Sequence, residues 1–161
     1  MALDLALRAR SLVAVPSRPG GAIVRDVAEL VPAFRERVLD LVAMMRASGH
    51  DPWIFETYRS PERARALADR GTGVVGSMHS YGCAVDVISS SKEWGAPFAF
   101  WRDLRDHAEA LGLVSGARWR RRDLPHVQAI PVGRQALLRE LHRRLGRDAV
   151  ALYVERVLGE A

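Results

Sequence analysis

The stretch "GSMHSYGCAVDV", residues 76–87, sets His79 and Asp86 seven positions apart around Gly82 and runs on into small and β-branched residues. Fully extended, such a segment would hold the two side chains roughly 23 Å apart at about 3.3 Å per residue, too far to share a task. A helix would bring positions i and i+7 to one face, but Gly82 with Val85, Val87 and Ile88 opposes helix. A turn through Ser80-Tyr81-Gly82 resolves this, because glycine takes backbone angles closed to other residues and the chain can re-enter a strand at Ala84. "CAVDVIS" is therefore predicted to be a buried strand entered from a glycine turn.

Upstream, "RDVAELVPAFRERVLDLVAMMRASGHD" repeats Leu30, Phe34, Val38, Leu41, Val42 and Met45 at helical spacing, with Pro32 where a first turn tolerates it and Gly49 where helices end. "PWIFETYRS" has the aromatic and β-branched content of a strand, and "PERARALADRG" reads as a short helix from Pro61 to a stop at Gly71. "TGVVGSMHSYG" is predicted to be loop. Downstream, "PFAFWRDLRDHAEALGL" is an amphipathic helix expected to face Phe98, Trp101, Leu104, Ala108 and Leu111 inward. "SGARWRRRDLP" is a basic loop and "HVQAI" a short strand. The segment "RQALLRELHRRLGRDAVALYVERVLGEA" gives one or two helices broken near Gly146. With no repeat, low-complexity tract or linker, one α+β domain spanning residues 1–161 is expected, with a core over about 30–130 and C-terminal helices over 134–160.

Composition narrows the class. The chain has 161 residues, 48% hydrophobic and 27% charged, enough to build one core without disulfides or metal for size reasons. No apolar run approaches the roughly 18 residues a membrane span needs. Its single cysteine, Cys83, excludes an internal disulfide. The start, "MALDLALRARSLVAVPSRPGG", interrupts its apolar residues with Asp4, Arg8 and Arg10 and does not read as a secretory signal. A net charge of +5, carried almost wholly by arginine, favours an anionic partner such as nucleic acid, membrane surface or an acidic wall polymer.

A second histidine–carboxylate pair lies in "DLPH", where Pro125 blocks a regular helix and Asp123 and His126 are expected to flank a tight bend. Two imidazoles, one carboxylate and a vacant position match a catalytic zinc site, with a further carboxylate to spare for proton transfer. His50, His107 and His142 have no partner at ligand spacing and default to structural roles, His50 at the surface.

The order of these pieces carries a resemblance. "SMHSYGCAVD" fits S-x-H-x-x-G-x-A-x-D, and with "YRS" before it and "DLPH" after it the chain, from about Leu30 to Gln128, resembles the M15 family of zinc peptidases. These include D-alanyl-D-alanine carboxypeptidases and the L-alanyl-D-glutamate endopeptidases that cut peptidoglycan stem peptides, some of them endolysins. The resemblance implies a small, mainly antiparallel sheet flanked by helices, of the Hedgehog/DD-peptidase type. It implies one Zn2+ held by His79, Asp86 and His126, with Asp123 as general base and Arg59 at the substrate carboxylate or the developing oxyanion. Ser77, Tyr58 and Trp119 would stand around the substrate or behind the ligands. Arg59 has a competing use in an ion pair with Glu56 or Glu62, and Asp123 in capping a turn. The endopeptidases usually carry a W-G-G-D-W type segment after "LGL"; here "VSGARW" keeps Gly116 and Trp119 but lacks the first tryptophan and the acid.

The implied activity is a hydrolase acting on the peptidoglycan stem peptide, as an L-Ala-D-Glu endopeptidase, with a D-Ala-D-Ala carboxypeptidase or a non-catalytic wall-binding module as alternatives. A monomer without specific nucleic-acid binding is expected. It would be made in the cytoplasm and reach the cell wall on release or by non-classical export. Cys83, alternating with Ala84 and Asp86, should point away from the metal and serve packing.

Overall fold

The computed structural model describes residues 21–160, so the reading of the first segment as lacking a secretory signal falls outside the described residues. Helix α1 (Pro32–Ala47) starts with proline at its first position and buries Phe34, Val38, Leu41, Val42 and Met45. It ends at Ser48, with Gly49 at φ 81°. Strand β1 (Pro52–Glu56) follows, then α2 (Pro61–Asp69), whose Ser60 side chain caps the helix by accepting from the Arg63 amide at 3.2 Å. Strand β2 (Ala84–Ser89) is buried along its whole length. Helix α3 (Phe98–Ala110), β3 (Val114–Ser115), β4 (His126–Gln128) and α4 (Gln135–Gly159) complete the chain, α4 being broken by Gly146 at φ 78°, ψ −166°.

The strands form one antiparallel sheet in the order β1-β2-β4-β3. Its registers place the functional residues. Asp86 lies directly opposite His126, and Ala84 opposite Gln128, so these four share one face, while Val85 and Val127 pair on the other. On the far side of β2 the register slips by one residue at Phe55, and this bulge sets Glu56, rather than Phe55, opposite Asp86. Glu56, Asp86 and His126 thus make a row across three strands.

The core gathers Phe34, Val38 and Leu41 of α1, Val85 and Val87 of β2, Leu104 of α3, and Leu138, Val150 and Val154 of α4. Each such side chain contributes about 1.5–3 kcal/mol on burial. One inward assignment is corrected. Phe98 is 77% exposed and Phe100 is buried instead, beside Trp101, Leu104 and Ala108. At about 100° per residue those four cluster on one side of α3, and Phe98, in the opening turn after Pro97, falls well off it. Leu111 lies at the C-cap, half-buried against the core. His50 is also less exposed than expected: its Nε2 meets Asp103 Oδ2 at 2.7 Å, tying the start of β1 to α3.

Candidate metal centre

His79 enters the site from a 3-10 turn, Met78–Tyr81, closed by Gly82 in the left-handed region at φ 68°, ψ 26°. A Cβ at Gly82 would come within 2.5 Å of the Glu29 carbonyl, so the position excludes a side chain on both conformation and space. Asp86 comes from the middle of β2 and His126 from the first residue of β4. Before His126, the "DLPH" bend closes with the His126 amide donating to the Asp123 carbonyl at 3.3 Å. Gly116 presses against this bend; a Cβ there would lie 2.5 Å from the Asp123 carbonyl oxygen and 3.1 Å from His126 Cβ.

The three buried side chains bring ligand atoms within 4.8 Å of one another. His79 Nε2 is 3.3 Å from Asp86 Oδ1, and His126 Nδ1 is 3.2 Å from the same oxygen. The hydrogen-bond network assigns the tautomers. His79 Nδ1 faces the Thr57 carbonyl at 3.3 Å, which only accepts, so Nδ1 carries the proton. His126 Nε2 faces Gln128 Oε1 at 3.1 Å; the Gln128 amide nitrogen donates to the Ile130 carbonyl, fixing Oε1 as an acceptor, and Gln135 Nε2 donates to it as well at 3.2 Å. Held this way, each ring turns its other nitrogen onto the same carboxylate oxygen. Three lone-pair donors converging on one point repel unless a cation, a proton or a metal, lies between them. With ligands about 2.0–2.1 Å from a tetrahedral zinc, neighbouring donor atoms stand about 3.3 Å apart, so the donor set and its spacing fit zinc. The carbonyl acceptors behind both rings are the orienting partners that metal-ligating histidines have.

The electrostatics agree. Burial alone would raise the Asp86 pKa, but His79 and His126 hold it well below the usual carboxylate range. Burial opposes charge on His126, yet the hydrogen bond and charge of Asp86 raise its pKa above the ordinary value. Asp123 is exposed as a residue, but its carboxyl lines the cleft; desolvation there, with Asp86 adding, raises its pKa against the pull of His126, His79 and Arg59. That favours a carboxylate able to take and return a proton.

Asp86 and His126 of this group line a cleft of about 960 Å³, with His79 buried behind them. Asp123, Arg59, Ser77 and Trp119 line it, Trp119 with its ring centroid 5.0 Å from that of His126. Tyr58 does not line it; it bridges Val24 beyond the end of β1. The Arg59–Glu56 ion pair, left open by the sequence, is made, with Nη2 to Oε2 at 2.6 Å, while the same nitrogen stands 3.7 Å from Asp86 Oδ2. Arg63 takes the other Glu56 oxygen at 2.6 Å. Cys83 is buried in the core, its thiol pushed up to about 12 by burial. Thr57, Gln128 and Arg63 are supports of the site that the sequence reading did not name, and Glu56 entered it only as a possible partner of Arg59; period-2 alternation from His126 marks Gln128.

No family model matches the chain, and no curated protein matches it. Among solved structures, the chain is similar to the Serratia marcescens L-Ala D-Glu endopeptidase ChiX, at 23% identity and a TM-score of 0.49, over 63% of this chain and 81% of that one.

Proposed function

We propose that this protein is a zinc-dependent peptidoglycan peptidase that hydrolyses the L-Ala–D-Glu amide bond of the stem peptide. The observation that carries the proposal is the convergence of three lone-pair donors, each imidazole locked by a carbonyl oxygen behind it, beside a cleft that Asp86 and His126 line. The choice of peptide substrate rests on the "SMHSYGCAVD" and "DLPH" motifs and their order. His79, Asp86 and His126 would hold the ion. Zinc in such a site supplies a nucleophile near neutral pH and polarises the carbonyl. Asp123 takes the proton of the attacking water on a carboxylate oxygen and returns it to the leaving amine. Arg59, fixed by Glu56, presents positive charge to the oxygen that becomes negative, a type of contact whose loss costs about 2.7–4 kcal/mol elsewhere. Residues 1–161 form one peptidase domain in this reading, with the helices after residue 134 packed on its core. Work at the cell wall, and on a monomer, belongs to the same proposal.

The test is mass spectrometry of muropeptides after digestion of purified sacculi by the zinc-loaded protein. Scission between L-alanine and D-glutamate is expected, abolished by chelator. Loss of a terminal alanine instead would make it a carboxypeptidase, and an unchanged muropeptide profile would refute the peptidase reading. Asp123→Ala should keep stoichiometric zinc and cut nothing; normal digestion by that variant would remove Asp123 from its role.

A further inference from the structure

Six guanidiniums and three carboxylates line the cleft. The two groups are unevenly matched. Arg59 and Arg63 are both spent on Glu56, and Arg139 donates to the Gly76 carbonyl and to Gln135 without meeting an acid. Arg120, Arg121 and Arg122 are exposed, consecutive, and make no hydrogen bond or ion pair among the described residues. Three adjacent like charges, all unpaired on the lip of a cleft, raise a local positive potential there that draws in an anion.

We infer that Arg120, Arg121 and Arg122 form an anion-reading rim that selects peptides carrying free carboxylates close to the bond being cut. The inference rests on the peptidase reading above and deepens it. Position decides the class of anion. The rim runs directly into Asp123, one to three residues away and so within about 10 Å of it along the chain. An anion held there must belong to the same short segment as the scissile amide. Carboxylates of neighbouring peptide residues meet that condition, whereas a phosphate polymer or nucleic acid lying across the cleft would be read by charge but would bring no amide to the floor. Guanidinium groups also match carboxylate geometry in paired hydrogen bonds, which a neutral primary amide cannot reproduce.

The experiment compares two synthetic stem peptides identical except that one carries free carboxylates and the other their amides. Binding by calorimetry and cleavage by chromatography are measured on the zinc-loaded full chain and on the combined Arg120→Gln, Arg121→Gln, Arg122→Gln variant, with zinc content and thermal melting recorded for both. The carboxylate peptide should bind about tenfold more tightly to the unaltered protein at low salt, an advantage shrinking as salt rises from about 0.05 to about 0.5 M. In the variant the two peptides should become equivalent through KM, with kcat unchanged. Equal binding of the two peptides by the unaltered protein would overturn the inference, as would a preference that survives in the variant. A variant that loses only binding to a DNA duplex would overturn it too. Arginine-dependent preference in binding without cleavage of either peptide would leave the rim standing and refute the peptidase reading. Cleavage of both without preference would do the reverse.

Discussion

Gln128 never touches the proposed ion, yet its side-chain oxygen is what forces the His126 proton onto Nε2. Gln128→Leu keeps the volume and removes the acceptor, so zinc affinity should fall about 10- to 100-fold, measured by competition with a chromophoric chelator, while far-ultraviolet dichroism stays unchanged. Gly116→Ala acts from the other side. With a Cβ 2.5 Å from the Asp123 carbonyl oxygen, the bend must move, at an expected cost of about 1–3 kcal/mol in denaturant melts and a lower kcat. At this scale the sequence was partly legible. His79, Asp86, His126 and Asp123 stood out because their residue types and spacing suit one chemistry. The hold on His79 was hidden, because Thr57 provides it through a backbone carbonyl, an atom every residue has.

Among elements, the helices were readable from their ends: Pro32 and Gly49 bound α1, and Gly146 divides α4 where the pattern breaks. The bulge in β1 was not, since alternation assumes an unbroken register and the residues at the slip, Ile54-Phe55-Glu56, include no glycine or proline to mark it. Hence Glu56 was seen as one possible partner of Arg59 and not as the buried carboxylate that joins Arg59 and Arg63 beside Asp86. Helix α3 offers two measurements. Leu104→Ala removes a fully buried side chain and should cost about 2–5 kcal/mol in chemical unfolding. Asp103, lowered to about 2 by hydrogen bonds from Arg102 and then His50, favours the fold above its unfolded value near 3.9. That contribution is lost as pH falls toward 2. The stability gap between the native protein and Asp103→Asn, followed by urea titration, should therefore be greatest near neutral pH and close below about pH 4.

For the whole molecule, the sheet and the proposed metal are coupled: an ion bound only by the folded chain stabilises it by about 2.7 kcal/mol at a free concentration 100 times its Kd. Chelation should lower the melting temperature, and zinc added back should restore it in calorimetric scans. Among the described residues no helix is long and apolar enough to cross a membrane. The pairing of Asp86 with His126 has a kinetic corollary. They stand 40 positions apart in the chain and become neighbours only when β2 and β4 are already zipped. A cation held there would therefore find its full seat only in the assembled chain and act as a latch rather than a nucleus. Stopped-flow refolding should run at one speed with or without zinc, and the ion should tell only in how slowly the finished structure comes apart.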